Sequence, residues 1–132
     1  MARQIQMVIY EGNLVADPET QYTASGTLVC NFRIGSNQTH KSQSGEVVKE
    51  TTWLKITAWG KTGEYVGKYA EKGSHVIVTG KLRVGDNGNP NVFELRNGGY
   101  GASYEVTASD VRIIKGKAFE ETSEEVEDEI PF

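Results

Sequence analysis

The sequence predicts an all-β domain that carries one short helix. Glycine is abundant and proline is rare, with 15 and 3 copies among 132 residues, which suits many strands joined by tight turns. Several segments alternate apolar and polar residues with a period of two, whereas only one segment has apolar residues at helical spacing. The length fits one domain. No apolar run approaches the roughly 18 residues that span a bilayer, so we expect no membrane segment.

The first half of the chain contains three predicted strand regions, the second of which is a hairpin with two arms. The segment IQMVIYE reads as a strand that ends where Gly12-Asn13 and then Asp17-Pro18 interrupt the pattern. A hairpin follows around residues 24–26, and its second arm alternates cleanly between apolar and polar positions. The polar run NQTHKSQSGE predicts a loop before the next strand. These elements are strands at 5–11, 21–23, 27–36 and 47–59, with the loop at 37–46.

The second half contains the helix and two further strands. Tyr65, Val66, Tyr69 and Ala70 fall on one stripe of a helix predicted over 61–72, and Gly73 is well placed to end it. The segment HVIVTGKLRV alternates with a period of two and predicts a strand at 75–84. A stretch rich in Gly and Asn predicts a long exposed hairpin at 85–101, and a last strand is predicted at 104–114.

Three strands, one short helix and two further strands point to an OB-fold, a small, partly open Greek-key barrel of five strands. We assign residues 1–115 to this domain. Residues 116–132 differ abruptly in composition, and we expect them to form a disordered acidic tail. Positions 118–132 hold seven acidic residues and no basic one, which leaves 14 basic and 11 acidic residues in positions 1–117. The body is therefore mildly basic, although the whole chain has a net charge of -4.

The strand at 47–59 divides its side chains unevenly between two faces. Counting in twos puts Leu54, Ile56 and Ala58 on one face, and Lys55 with both tryptophans of the chain on the other. One interpretation is that Trp53 and Trp59 pack against the helix or another subunit. The other is that they form a platform on which nucleobases stack with little sequence preference.

Cations in nearby segments favour the second interpretation, because a stacking platform for nucleic acid also needs positive charge to hold the phosphates. Lys55 lies between the tryptophans and Lys61 follows them. Lys81 and Arg83 lie on the non-aliphatic face of the strand after the helix. Exposed lysines on a strand also serve solubility alone, so this reading too stays open.

Catalytic and metal-binding constellations are missing from the sequence. His40 and His75 are the only histidines and Cys30 is the only cysteine, so no cluster has zinc-ligand spacing. A single cysteine fits a reducing cytoplasm. We therefore expect a cytoplasmic protein that is not an enzyme and needs no metal or cofactor.

Three stretches together resemble the bacterial single-stranded DNA-binding protein family. The opening VIYEGNLVADPETQYTASGTLVCNFRIGSN is similar to the family's first strand and hairpin. The middle ETTWLKITAWGKTGEYVGKYAEKGSHVIVTGKLR is similar in its aromatic pair and Lys-Gly-Ser turn, and the final DEIPF resembles the family's acidic tip. The resemblance implies an OB-fold that assembles as a homotetramer, associates with the nucleoid, and binds single-stranded DNA during replication, recombination and repair.

The resemblance also implies roles for individual residues. The family's stacking aromatics fall on Trp53 and Trp59, and its phosphate-contacting lysines near the helix ends fall on Lys61 and Lys72. Two further aromatic positions common in the family are not matched directly. His40 is the candidate substitute for the first, and Phe93, or else Tyr100, for the second.

The end of the tail predicts a site for protein partners. Acidic tails usually only keep a chain solvated, but this one ends in an apolar pair around a proline, which suits a partner pocket with a basic rim. A terminal Phe offers a ring and a carboxylate together, and Pro131 limits the entropy lost on binding. We call residues 128–132 the tip; it consists of Asp128, Glu129, Ile130, Pro131 and Phe132. The resemblance implies that replication and repair proteins bind it.

Two alternative functions remain open on the sequence alone. An RNA-binding OB protein would use the same platform, because stacking ignores the 2′-hydroxyl that distinguishes RNA from DNA. A structural or oligosaccharide-binding OB module would pack its aromatics against sugars or a subunit. That second alternative leaves the aligned cations and the apolar end of the tail without a role.

Overall fold

The computed structural model describes residues 3–115, in which five strands close into a barrel. β1, β5, β8, β4 and β3 follow one another around the barrel, and pairing between β1 and β3 closes it. The OB-fold prediction is therefore confirmed. The elements are β1 Val8–Leu14, β2 Glu19–Tyr22, β3 Leu28–Lys41, β4 Val47–Trp59, α1 Gly60–Tyr69, β5 His75–Leu82, β6 Val92–Glu94, β7 Tyr100–Ala102 and β8 Tyr104–Lys115.

Inward-facing residues of all five barrel strands form one core, which is closed by Val66 of α1 and by Ala70 directly after the helix. In β4 the predicted aliphatic face is confirmed, since Leu54, Ile56 and Ala58 are fully buried. Within residues 3–115, no helix is long and apolar enough to cross a membrane.

The predicted end of the first strand is wrong. Gly12 and Asn13 do not interrupt β1, because they pair with Val76 and His75 of β5, and Asn13 also pairs with Gly35 of β3. A Cβ atom at position 12 would lie 2.6 Å from the carbonyl oxygen of Gly35. Glycine is required there because two backbones approach closely, which is a common role for glycine inside a strand.

The predicted loop at 37–46 is wrong over its first half. β3 continues to Lys41 and pairs with β4 without a register break as far as Lys41 and Val47. This part of the hairpin extends beyond the barrel, so most of its side chains are exposed on both faces. Its sequence therefore shows no apolar alternation, and only residues 42–46 form the connection.

The helix is shorter than predicted and begins directly after Trp59. Tyr65 fixes it to the barrel, because the Tyr65 hydroxyl accepts a hydrogen bond of 3.3 Å from the backbone N–H of Ile113. Gly73 has a φ of 90°, a left-handed conformation that allows the chain to turn after the helix. Lys72, predicted to lie at the helix end, belongs to the turn that follows.

The stretch at 85–101 contains the hairpin that its composition predicts. A short 3₁₀ turn at Asp86–Gly88 leads into β6, which pairs with β7 in a separate two-stranded sheet. We call β6 and β7 with their connection the 92–102 hairpin. All its side chains are at least partly exposed, so it contributes little to the core.

Cys30 gives the fold a testable dependence on pH. Burial in the barrel core raises the pKa of its thiol from 9.0 to about 11. The unfolded chain therefore ionises this thiol at a lower pH than the folded chain. Stability due to Cys30 should be fully present below pH 9 and decrease as the pH rises towards 11.

The comparison of the native chain with Cys30→Ala by urea unfolding isolates this effect, because other alkaline titrations are common to both. The free energy of unfolding of the native chain should decrease more steeply from pH 8 to pH 11. Equal slopes would contradict burial of the thiol.

Candidate nucleic-acid interface

The outward face of β4 presents both tryptophans to solvent. Trp53 and Trp59 keep 50% and 48% of their surface exposed, so neither is buried by the helix or by any other part of residues 3–115. The predicted division of β4 into an aliphatic and an aromatic face is confirmed. We call the outward side of β3, β4, β8 and the end of β5 the tryptophan face.

Trp53 lies on a seat formed by Gly35, its partner across the β3–β4 ladder. A Cβ atom at position 35 would be only 2.8 Å from Cζ3 of the indole and 3.2 Å from Cε3. The ring therefore lies against the strand where a side chain would otherwise be. One side of the indole is covered by backbone, and half of the residue stays open to solvent.

Trp59 occupies the end of the same face, where β4 leads into α1. Its partner across the ladder is Val29, which is buried although it points outward. Trp59 has extended backbone angles, and Gly60 begins the helix at a φ of 60°. A glycine at that position lets the chain turn sharply into the helix directly after Trp59.

Charged residues form a row across the tryptophan face, in which three cations and one carboxylate follow one another from β3 to the residue after β5 as Arg33, Lys55, Glu105 and Arg83. Arg33 of β3 is the direct partner of Lys55 of β4. Lys55 is in turn level with Glu105 of β8, whose carbonyl accepts a hydrogen bond of 2.8 Å from the N–H of Arg83. Like charges facing each other, as Arg33 and Lys55 do, destabilise a strand pair by roughly 0.2–1 kcal/mol. An anion bound between them would relieve this cost.

Lys81 precedes Arg83 by two residues and points to the same face. It pairs with Thr107 of β8, which in turn pairs with Thr57 of β4. The structure therefore places Lys55, Lys81 and Arg83 on one face, as the sequence predicted. Lys61 is close to this face, since it lies in the first turn of α1 directly after Trp59. It lines a shallow depression with Tyr65 and Asp110.

Two other predicted residues are not brought together with the tryptophans. The backbone N–H of Lys72 donates a 2.8 Å hydrogen bond to the carboxylate of Asp17, at the turn between β1 and β2. His40 pairs with Val48 in the extended part of the hairpin. By strand alternation it shares the face of Ile34 and Leu54, opposite to Trp53. The tip at 128–132 lies outside the described residues.

Phe93 reaches the tryptophan face from the 92–102 hairpin. The ammonium of Lys55 lies 5.6 Å from the centre of the Phe93 ring, a cation–π distance. A Cβ atom on Gly101 would come within 2.7 Å of this ring, so Phe93, like Trp53, rests on a glycine across its ladder. A second link lies nearby, where Asn91 donates a 3.2 Å hydrogen bond to the carboxylate of Glu105.

Sequence reasoning missed Arg33, although a signal for it existed. Arg33 belongs to the polar set in the alternation of the second hairpin arm, but alternation alone does not show which residue of β4 faces it. The register between β3 and β4 depends on where their connection lies, and the predicted loop was too long. A connection at 42–46 would have placed Arg33 beside Lys55.

Within residues 3–115, no group of three or more His, Cys, Asp and Glu side chains is arranged to hold a metal ion. A barrel of this topology with exposed rings and cations on one face belongs to the OB class of ligand-binding domains. A family model described as the Single-strand binding protein family matches residues 5–114. The chain belongs to this family.

Curated relatives agree with that assignment. The single-stranded DNA-binding protein of Xanthomonas campestris pv. campestris is 32% identical over 89% of this chain and 64% of its own length. Single-stranded DNA-binding protein 1 of Chlorobaculum tepidum is 39% identical over 63% of this chain and 51% of its own. The chain thus spans between about half and two thirds of the length of these relatives.

A solved structure supports the fold. It is the crystal structure of a deletion mutant of the single-stranded DNA-binding protein from Thermus aquaticus, which superimposes with a TM-score of 0.66 at 22% identity. The match covers 89% of this chain and 54% of that chain.

The seat of Trp53 can be tested without any ligand. Gly35→Ala should lift the indole off β3, because the added methyl occupies the space of Cζ3. In a Trp59→Phe background, where Trp53 is the only tryptophan, acrylamide should then quench the fluorescence more efficiently.

The matched control is Gly35→Ala in a Trp53→Phe background. There Trp59 reports alone, and its quenching should not change. Equal changes in both backgrounds would mean that the substitution disturbs the barrel and does not act on the seat.

Proposed function

We propose that this chain binds and protects single-stranded DNA without strong sequence preference and is not an enzyme. The observation that carries the proposal is that two half-exposed tryptophans share one face with a row of cations. An exposed ring on a rigid sheet stacks with any base, because every base has a flat π-face. The cations supply the sequence-independent attraction to phosphate.

The arrangement suits a single strand better than a duplex. In a duplex the bases stack on one another and are unavailable to side chains, whereas a single strand can turn its bases towards the sheet. Trp53 and Trp59 lie on either side of the Arg33–Lys55 pair along the same face of β4, so the rings can hold bases while Arg33 and Lys55 hold the backbone between them. Phe93 would add a third ring from the 92–102 hairpin, next to Lys55. His40, Lys61 and Lys72 would contact the strand outside this central patch.

RNA binding is the alternative that uses the same chemistry. It differs in the 2′-hydroxyl, which a site must contact in order to discriminate. The names of the relatives favour DNA, since they describe proteins that bind single-stranded DNA. An oligosaccharide-binding module would not need the Arg33–Lys55 pair.

The proposal includes self-assembly as a homotetramer. Exposed apolar side chains at the beginning of β1 support it, because Met7 just before the strand and Ile9 within it keep 61% and 62% of their surface exposed. A strand edge with an apolar outer face is suited to pairing with another copy.

We also propose that the tip recruits replication and repair proteins in the cytoplasm, where the protein associates with the nucleoid. Its acidic residues would attract basic partners, and Ile130, Pro131 and Phe132 would enter an apolar pocket. Recruitment would link DNA covered by this protein to recombination and repair.

Replacing either tryptophan tests DNA binding directly. Trp53→Ala and Trp59→Ala should each weaken binding to oligo-dT by about 1–3 kcal/mol, the value of one stacked base, with an unchanged unfolding transition. Tyr22→Ala is the matched control: Tyr22 is an aromatic residue exposed even more than the tryptophans, at 71%, but lies on β2, away from the cation row.

Titration with oligo-dT, oligo-U and an oligosaccharide separates the three functions. DNA binding predicts the tightest association with oligo-dT. A chain that binds oligo-U more tightly is an RNA-binding protein, and one that binds only the sugar is an oligosaccharide-binding module.

Replacing Phe132 tests recruitment. Phe132→Ala should abolish binding to purified replication and repair proteins of the same organism while leaving oligo-dT affinity unchanged, because it removes the ring and no charge. Phe119→Ala changes the same residue type in the same acidic segment and should have no effect. Partner binding that survives Phe132→Ala would leave the tail with a solvating role only.

A further inference from the structure

A shallow depression lies where the tryptophan face meets the start of α1. It has a volume of about 320 Å³ and is lined by Lys61, Thr62, Tyr65, Asp110 and Val111. Ligand pockets in proteins measure about 300–1,000 Å³, so this one is small and suits a single flat group. We call it the α1–β8 depression. Of its residues, the proposed function uses only Lys61.

The α1–β8 depression is next to Trp59, both along the chain and through the strand register. Lys61 follows Trp59 by two residues. On the other wall, Ala108 of β8 pairs with Ala58 of β4, so Asp110 lies just beyond the end of β4 that carries Trp59. A nucleotide adjacent to a base stacked on Trp59 can therefore reach the depression.

A β-bulge directs Asp110 outward. The register of β8 against β5 shifts here, and Ser109 is left without a partner between Ala108 and Asp110. The hydroxyl of Ser109 donates a hydrogen bond of 3.1 Å to the carbonyl oxygen of Thr79, which holds the bulge in place. Ser109 and Asp110 are both exposed, although regular alternation would turn one of them inward. Bulges commonly redirect a side chain in this way next to a binding site.

Tyr65 forms a fixed wall of the depression. Its hydroxyl accepts a hydrogen bond from the backbone N–H of Ile113, and the centre of its ring lies 5.5 Å from that of Tyr69 at an interplanar angle of 55°. Because both its ring and its hydroxyl are held, this wall exists before a ligand binds, which lowers the entropy lost on binding. Tyr65 keeps 36% of its surface exposed, so a base can lie against the ring.

Lys61 and Asp110 bring opposite charges to the depression. Within residues 3–115, no ion pair joins them or ties either of them to another side chain. The carboxylate of Asp110 repels phosphate, so the group that it binds must be a hydrogen-bond donor. A DNA strand has donors only on its bases, because its phosphates and internal deoxyriboses carry none.

We propose that the α1–β8 depression is a base subsite that favours guanine, with Asp110 as the residue that selects it. An ionised carboxylate has two oxygens that only accept hydrogen bonds. Guanine presents two adjacent donors, N1–H and the N2 amine, and can give one bond to each oxygen. Adenine and cytosine have a ring acceptor beside their amine, and thymine has one N–H between two carbonyl oxygens, so each of them gives at most one bond.

This inference rests on the proposed binding of single-stranded DNA and adds a base preference at one position. The ring of Tyr65 supports the base, and the ammonium of Lys61 holds the phosphate of the same nucleotide. Trp53 and Trp59 stack with every base. The preference of the whole chain is therefore modest, since only the nucleotide that enters the depression is selected.

The variant Asp110→Asn tests the selection, because it keeps the side-chain shape but replaces one acceptor oxygen by a donor. The two strands to compare are oligo-dT and a strand of equal length that repeats thymine-thymine-guanine, in which no guanines are adjacent. The ratio of the affinity for the guanine strand to that for oligo-dT should fall by about fivefold in the variant, the low end for a two-bond base contact. Differences between the strands themselves cancel when this ratio is compared between proteins.

Glu64→Gln is the matched control. Glu64 is exposed on α1 and does not line the depression, and its replacement also removes one negative charge. Both variants should bind each strand more tightly at low salt, because a charge that repels phosphate is gone. Only Asp110→Asn should change the ratio. An equal ratio in the native chain and in Asp110→Asn, with unchanged unfolding transitions, overturns the subsite.

Base analogues identify the edge that is recognised. Hypoxanthine lacks the N2 amine, so replacing guanine by it should weaken binding to the native chain much more than binding to Asp110→Asn. 7-Deazaguanine lacks N7 but keeps both donors and should bind as guanine does. A loss of affinity with 7-deazaguanine would mean that Lys61 recognises the O6 and N7 edge, which overturns the assignment to Asp110.

Oligo-dT separates failure of this inference from failure of the proposed function. If the native chain binds oligo-dT and Trp59→Ala weakens that binding, while the guanine ratio is the same in every variant, DNA binding stands and the guanine subsite fails. If the native chain binds neither strand, the proposed function itself fails.

Discussion

The close approach of three strands around Gly35 is the constraint on which the barrel and its binding face both depend. On one side, the carbonyl oxygen of Gly35 lies where a Cβ of Gly12 would be, so β1 can come near enough to close the barrel. On the other side, the indole of Trp53 fills the space that a side chain at position 35 would need. Two residues without side chains thus act at one point: Gly12 permits the approach of β1 to β3, and Gly35 permits seating of the ring. A larger residue at position 12 would push β1 away from β3, and a larger residue at position 35 would displace the indole of Trp53.

How much of this arrangement could be predicted depends on whether a segment has one buried face. β4 alternates between the core and solvent, so its bounds and its two faces were readable from the period of two. β1 was misread because Gly12 looks like a strand end in sequence, whereas its real role is a contact with a residue 23 positions away. The outer part of β3 was misread because neither of its faces is buried, and backbone pairing alone leaves no pattern in the sequence.

In the candidate site, too, residues on strands with one buried face were predictable, and contacts between distant segments were not. Trp53, Trp59, Lys55, Lys81 and Arg83 were predictable, because alternation within each strand assigns them to one face. The partnership of Arg33 with Lys55 needed the register of the hairpin, which depends on the position of its connection. The contact between Phe93 and Lys55 depends on the path of a long irregular segment, and no local rule determines that path. The position of Asp110 beside the end of β4 likewise became visible only with the register of β4 and β8.

The attachment of the 92–102 hairpin is weak enough to be compatible with a ligand on the tryptophan face. Its links to that face include the cation–π contact of Lys55 with Phe93 and, from the adjacent chain, the hydrogen bond from Asn91 to Glu105. The first contributes about 0.5–1 kcal/mol at an exposed site, and the second, a hydrogen bond to a charged group at an exposed position, contributes at most about 1.5–3 kcal/mol. One base stacked on an aromatic ring contributes about 1–3 kcal/mol. A strand that stacks on Trp53 and Trp59 therefore gains as much as the hairpin would lose by moving aside. If Phe93 then stacks on a base and Lys55 binds a phosphate, the two side chains exchange their contact with each other for contacts with DNA. The barrel itself then needs no rearrangement.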